Sequence, residues 1–515
     1  MQSRDSCTVG TRIIILQLVF GTIGSIQCWR IGPLSLFTIL LEVLPMIRSM
    51  CWLFVSVVGI TLLTNRGEAS SPSLKVSPNG RYLITDKGEP FFYLGDTAWE
   101  LFHRLNREEA DLYLKDRASK GFTVIQAVVL AELDGLRTPN AYGHVPLIND
   151  DPTKPDIRPG KNDDYWDHVD WIVNRAEELG LFIGMLPTWG DKWNKKWGVG
   201  PEIFNPENAR TYGEFLGKRY RDKPIIWILG GDRNPESDKH LSVIRGMAAG
   251  LRAGDQGRHL MTYHPQGGAN SANWFHDDDW LSFNMFQSGH GQANHPNYLV
   301  TLANYRRQPV KPTLDGEPRY EDHPINWRAE KGWFDDWDVR QAAYWSMLSG
   351  ACGHTYGNHN IWQMFEPPRK PVSSARTPWK TALQHPGAAQ MGYMKHLFLL
   401  RPYYRLVPDQ ELIEGDERSG GDHRRAARAE DGSFALIYLP TGGEIHVKTG
   451  RLKGERVRVS WFDPRKGEVA HSEEIAKATV LRLEAPSAGR GNDWVLCLDN
   501  VRSNLPPIRI NRESR

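Results

Sequence analysis

The chain is 515 residues long, room for roughly two to four domains and for a sizeable core. Its 63 basic residues nearly balance 61 acidic ones, and a net charge of +2 offers no electrostatic footprint for nucleic acid or an anionic membrane. Hydrophobic content of 40% and charged content of 24% are those of an ordinary globular protein, but Trp, at 19, outnumbers Phe at 18 and Tyr at 17. Flat rings in excess serve a core, and they also serve a sugar-binding cleft.

Residues 1–69 read as a leader. Residues 51–63 form an uncharged apolar stretch behind Arg48, and Gly67-Glu-Ala69 follows with small residues at both positions a signal peptidase reads. The pattern predicts a secretory signal cleaved near Ala69, export to the periplasm or beyond, and no stable membrane association of the mature chain. Further apolar runs at 13–23 and 31–47 suggest that translation begins at Met46 or Met50; a membrane-anchored leader is the alternative. Only Cys352 and Cys497 survive cleavage, and no disulfide framework is expected.

After a short linker, residues 74–85 and 89–94 predict a hairpin around Asp86-Lys-Gly88. From there strands and helices alternate. Strand one is 90–96. A helix capped by Asn106, with Glu109 completing a capping box, is stopped by Gly121. Strand two is 122–130, with Gln126 inside it and Glu132 just past its end. A long polar loop, 131–163, follows, and its stretch 139–160 should shape a pocket together with Trp189 and Trp193. Tyr165, Val169, Ile172, Val173 and Ala176 form a helical stripe before strand three at 181–186. Asn205-Pro206 starts the next helix. Strand four is 225–230, strand five 259–263 ending at His264, strand six 280–285 ending at Gln287. Strand seven leads to Glu317, and strand eight, 353–356, ends at Asn358. Eight near-continuous apolar strands alternating with helices predict a (β/α)8 TIM barrel over 74–407. A doubly wound open sheet is the rival, and no glycine-rich phosphate loop supports it. Residues 422–500 then alternate with period two, as at Ala435, Ile437 and Leu439, and predict a small antiparallel β-sandwich that supports the barrel.

Two stretches share one grammar: an apolar run, glycine, an acid, then proline. They are Pro224-Ile-Ile-Trp-Ile-Leu-Gly-Gly-Asp232-Arg-Asn-Pro235 and Lys311-Pro-Thr-Leu-Asp-Gly-Glu317-Pro318. Glycoside hydrolysis needs one carboxylic acid for the leaving oxygen and a second carboxylate opposite, and strand ends across one barrel mouth supply such a pair. Each acid alone would read as a turn residue. Together with Gly95-Asp-Thr-Ala-Trp99, these motifs resemble the apiosidase-like glycoside hydrolases, glycoside hydrolase family 140, over about 74–407. The tail resembles the collagen-binding-type domain that often follows them. The resemblance implies a retaining hydrolase of apiose in pectic side chains, with Asp232 as acid/base, Glu317 as nucleophile and no cofactor.

Asp96, Trp99, Gln126, Trp189, Arg233, His264, Gln287 and Asn358 are further candidates for the cleft, each weighed against a packing or capping role. His354 and His359 are poor metal-ligand candidates, and Asp277-Asp278-Asp279 reads as a solvated turn rather than a calcium site. A metallopeptidase would need His-Glu-x-x-His, which does not occur. A non-catalytic glycan-binding protein would have lost an acid, and both are present. The partner is therefore a carbohydrate; oligomeric state has no sequence signal.

Overall fold

The computed structural model describes residues 72–160, 164–415 and 418–509. The signal-peptide and start-site expectations lie outside these residues. A small antiparallel sheet, Leu74–Val76, Leu83–Thr85 and Pro90–Phe91, opens the described chain. Strand one of the sequence reading is thus two elements. Pro90–Phe91 stays in this sheet, and only Tyr93–Thr97 enters the main one.

Eight parallel strands follow: β1 (Tyr93–Thr97), β2 (Val124–Leu130), β3 (Phe182–Thr188), β4 (Ile225–Leu229), β5 (Met261–Tyr263), β6 (Asn284–Phe286), β7 (Thr313–Asp315) and β8 (Gly353–Tyr356). β8 pairs with β1, and the ladder continues through β2 to β5, so the curled sheet brings the eighth strand of the chain beside the first. β6 and β7 form a separate two-stranded ladder. Hydrogen bonds span the gaps on either side: Ser282 N–H to Met261 O at 2.8 Å, Met261 N–H to Ser282 Oγ at 3.1 Å and Thr262 Oγ1 to Phe283 O at 2.7 Å on one, and Cys352 N–H to Thr313 O at 3.0 Å on the other. The expected closed eight-strand barrel therefore appears as a six-strand and a two-strand sheet. One cause is local. Strand six was expected at 280–285, but Trp280 donates from Nε1 to Asp278 and Leu281 N–H bonds Asp278 O, which holds the first half of that run in a turn.

The helices α1 (Arg107–Ser119), α2 (Tyr165–Glu178), α3 (Pro206–Tyr220), α4 (Asp238–Asp255), α5 (Asn297–Arg306), α6 (Asp336–Met347) and α7 (Pro386–Leu400) alternate with the strands and then close the layer. The Asn106–Glu109 capping box at α1 and Asn205 with Pro206 at α3 are present. α3 and α4 touch backbone to backbone. A Cβ on Gly217 would lie 2.4 Å from Leu251 O, and one on Gly250 only 2.0 Å from Arg210 O, so glycine at four-residue spacing sets the approach. The sequence reading placed nothing between residues 358 and 407, where α7 lies. No helix among the described residues is long and apolar enough to cross a membrane.

The C-terminal part consists of β9 (Leu406–Pro408), β10 (Arg425–Ala429), β11 (Phe434–Leu439), β12 (Gly442–Lys448), β13 (Arg456–Asp463), β14 (Glu468–Ala476), β15 (Val480–Ala488) and β16 (Trp494–Asn500). They form a six-stranded antiparallel sheet in the order β9-β10-β11-β16-β13-β14 and a two-stranded β12-β15 pair. The sheet reaches back before Asp422, taking Leu406–Pro408 as its edge. Ala435, Ile437 and Leu439 face the β12-β15 pair, as the period-two reading requires. The other face is buried too. Phe434, Leu436 and Tyr438 share one core with Tyr344, Trp345 and Phe398 of α6 and α7. Tyr344 stacks on Tyr438 at 4.8 Å. Arg340 makes a two-pronged bond to Asp493 at 2.9 and 2.8 Å, and Arg401 pairs likewise with Asp499. Every residue of α6 from Trp337 to Met347 is consequently buried, on all sides of the helix, which a surface helix would not be.

Candidate active site

Asp232 owes its position to the two glycines before it. Gly230, Gly231 and Asp232 all take positive φ, 100°, 80° and 56°. A Cβ on Gly230 would lie 2.4 Å from His264 O, and one on Gly231 2.8 Å from Gly190 N. Only glycine lets the end of β4 press between the segments that follow β3 and β5, and aspartate is among the few residues that tolerate the left-handed step after it. Arg233 stays beside Asp232, its guanidinium 3.6 Å from the Asp232 carboxylate. Its guanidinium donates to Asn194 O at 3.1 Å, Asp232 O at 2.7 Å and Trp197 O, and lies 3.5 Å over the Trp197 ring.

Glu317 follows β7 by one glycine. Gly316 N–H bonds Phe286 O at 2.8 Å, and Gln126, inside β2, donates to Gly316 O at 3.0 Å. Below it, Asp315 accepts from Ser288 Oγ at 2.7 Å and Asn297 Nδ2 at 3.0 Å, which holds the loop carrying Gln287 and His290. His290 Nε2 is 3.0 Å from one Glu317 oxygen, and His264 Nε2 approaches the other to 2.9 Å along a bent line. His264 Nδ1 accepts the Asp232 N–H at 3.2 Å, which leaves its proton on Nε2, facing Glu317. One histidine thus links the backbone of one acid to the side chain of the other.

These contacts drive the two carboxyls apart. Burial alone would raise Glu317, but the contacts of His264 and His290 outweigh it and hold the carboxyl down at about 2. Burial, then the charge of Glu317, push Asp232 up to about 7, against the pull of His264, Arg233 and a side-chain bond from Gln287. At mildly acidic to neutral pH one acid is ionised and the other carries a proton.

Both open into a cleft of about 780 Å³. Of the expected residues, Trp99, Trp189, Asp232, Gln287 and Glu317 line it. Trp99 and Trp189 pack around His264, with ring centroids 5.4 and 6.2 Å away. Trp189 Nε1 and Gln287 Oε1 are buried and make no hydrogen bond within the protein. Gln126 lies one layer below. Two expectations are corrected. Asp96 is fully buried away from the cleft, accepting from Tyr113 at 2.6 Å and Arg117 at 2.5 Å; strand alternation sends it outward, where it ties β1 to α1. Asn358 caps the short helix His359–Trp362, accepting from Asn360 N–H at 3.0 Å.

The long loop after β2 is corrected as well. None of residues 139–160 lines the cleft, and neither does Trp193, whose Nε1 donates to Gly230 O at 2.9 Å. Trp166 Nε1 bonds Pro146 O at 3.0 Å and Arg107 N–H bonds Tyr142 Oη at 2.9 Å, which folds the loop back over α1 and α2. The cleft is walled instead by Glu132, Trp197, His290, Tyr320, His323, Trp327 and His359, among others, none of them singled out as site residues from the sequence. His290 had one usable signal: it sits between glycines, Gly289-His-Gly291, just past strand six. No group of three or more His, Cys, Asp or Glu among the described residues is arranged to hold a metal ion.

Residues 77–405 match the family described as "Apiosidase-like, catalytic domain". The chain belongs to the apiosidase-like family. Residues 407–499 match the "Putative collagen-binding domain of a collagenase". Among solved structures, one titled "Glycoside hydrolase" is 34% identical over 85% of this chain and 99% of its own, with a TM-score of 0.77. A glycoside hydrolase family 5 protein from Bacteroides vulgatus is 33% identical over 85% of this chain and 95% of its own, with a TM-score of 0.78. A second Bacteroides vulgatus glycoside hydrolase, 14% identical over 84% of this chain and 83% of its own, with a TM-score of 0.59, shares the fold. No curated protein matches the chain. Membership of the apiosidase-like family and these two closer structures identify the chain as a glycosyl hydrolase.

Proposed function

We propose that this apiosidase-like protein removes a terminal sugar from a plant or algal cell-wall polysaccharide with retention of configuration. The family points to apiose as that sugar and to family 140 as its class. Glu317 is the nucleophile and Asp232 the acid/base. The observation that carries the reading is two carboxyls opening into one cleft, joined by His264, with His290 on the second oxygen of Glu317; their protonation is pushed in opposite directions.

In the first step the Glu317 carboxylate attacks the anomeric carbon while Asp232 gives its proton to the leaving oxygen, forming a glycosyl-enzyme ester. In the second, Asp232 takes a proton from water, whose oxygen attacks the same carbon and frees Glu317. His264 and His290 keep the nucleophile ionised and aimed. Trp99 and Trp189 offer ring surface, and Trp189 Nε1 and Gln287 Oε1 are polar atoms with no partner in the protein, suited to sugar hydroxyls. In this reading the eight parallel strands act as a closed (β/α)8 barrel, the C-terminal sheet buttresses it, and the chain is exported after cleavage near Ala69.

Proton NMR of the anomeric product in the first minutes of hydrolysis tests the stereochemistry; an inverted product refutes the nucleophile role. Glu317→Ala should abolish turnover with the fold intact. Asp232→Ala should slow substrates with poor leaving groups far more than activated aryl glycosides, because an acidic phenol needs little protonation. Equal loss on both removes Asp232 from the acid/base role.

A further inference from the structure

Glu132 is a third carboxyl in the cleft, and nothing above uses it. It follows β2, lines the same cavity as Asp232 and Trp189, and is partly exposed there. The chain on both sides of it is held by buried charges. Glu100, fully buried, accepts Leu133 N–H at 3.1 Å and is itself held by His103 at 2.7 Å. Lys192, also fully buried, donates to Ala131 O at 2.7 Å and pairs with Asp191 at 2.8 Å. Burying charge is costly, so two such groups pinning the neighbours of one residue mark a position where placement matters. The Glu132 carboxyl itself takes no hydrogen bond from the protein, and only longer-range charges act on it.

The rest of the lining points the same way. It holds three acids and four histidines, and no Lys or Arg among the described residues. Arg233, the nearest guanidinium, is committed to three carbonyl oxygens. A sugar bearing a carboxylate would meet three acids with no Lys or Arg in the lining to offset them, and His264 and His290 are already engaged with Glu317.

We propose, resting on the hydrolase reading above, that Glu132, lining the cleft beside Asp232, binds substrate by a hydrogen bond to a hydroxyl of an uncharged sugar, and that the cleft excludes uronic acids. Its protonation fits: burial, then the charges of Asp232, Glu100 and Asp191, raise the carboxyl to about 8 against Arg233, so it keeps its proton where Asp232 is also acidic. Among other charged groups, Arg104 also feels the Glu132 charge.

The test compares wild type, Glu132→Gln and Glu132→Ala on 4-nitrophenyl glycosides of neutral pentoses and hexoses, apiose included, and on the corresponding uronides. Neutral glycosides alone should turn over. Glu132→Ala should raise KM roughly tenfold or more with a smaller change in kcat, the loss expected when a polar group in the site loses its partner. Glu132→Gln, neutral and still a donor, should stay within roughly threefold of wild type. Its kcat/KM should also fall less steeply on the alkaline side, because one of two titrating groups is gone. The inference is overturned if uronides are cleaved as well as neutral glycosides, if Glu132→Ala matches wild type, or if Glu132→Gln is as impaired as Glu132→Ala. A wild type that cleaves no glycoside overturns the hydrolase reading and this inference with it; a KM unchanged in both Glu132 variants, with turnover still lost in Glu317→Ala, overturns only the inference.

Discussion

Replacing Asp232 by asparagine should stabilise the protein while disabling it. Asp232 is only 19% exposed, and burial with the charge of Glu317 lifts its carboxyl from 3.8 to about 7. At about 1.4 kcal/mol per unit, a shift of this size bounds the effect at roughly 4 kcal/mol; relaxation and water access lower that, so about 2–4 kcal/mol is expected. The sign follows from proton binding. Between about pH 4 and pH 7 the folded carboxyl keeps its proton while the unfolded one has lost it, so wild type loses stability as pH rises, and above about pH 7 the full penalty remains. Asparagine never ionises, and it accepts the positive φ of 56° at this position as readily as aspartate does. Urea unfolding should therefore find Asp232→Asn level with wild type near pH 4 and more stable by about 2–4 kcal/mol at pH 8. A gain that is the same at both pH values, or no gain at pH 8, would falsify the assignment of a raised carboxyl at this site.

Arg340→Ala should cost about 3–5 kcal/mol, because it leaves Asp493 buried with Tyr438 as its remaining side-chain partner, and urea unfolding should still run as one transition. Separate barrel and tail transitions would show the two to be independent. A chain cut before Leu406 would bare Tyr344, Trp345 and Phe398 and should be insoluble; a soluble, active truncation contradicts the shared core. Gly250→Leu should unfold the α3–α4 contact, since even a Cβ there lies 2.0 Å from Arg210 O, and a melting temperature near wild type would count against that packing.

The two acids were legible because their signal is local. A continuous apolar run, a glycine and an acid describe a buried parallel strand that ends at a polar side chain, whatever surrounds it, and Asp232 and Glu317 both open into the cleft. The alternation of elements was legible for the same reason: caps such as Asn106 and stripes such as that of α2 act within a few residues of chain. Asp96 was misjudged because which way a strand residue points is a matter of parity against a neighbouring strand, and one residue's difference sends it outward to Arg117. The long loop was misjudged because its path is set by Trp166 and Arg107, which belong to other elements.

Sequence alone, then, determined the kind of chemistry. Residue type and backbone freedom sit in the chain itself, and a pair of acids on glycine-backed strand ends is already there to read. Tertiary structure alone decided how that chemistry is tuned. The protonation of each acid depends on charge and burial over a few ångströms in space. Only folding brings His264 between Asp232 and Glu317, sets His290 on the second carboxylate oxygen and puts Glu132 into the same cleft. The tail followed the same rule. Its alternation predicted a sheet with one buried face, but the second face is buried only because α6 and α7 are there to cover it.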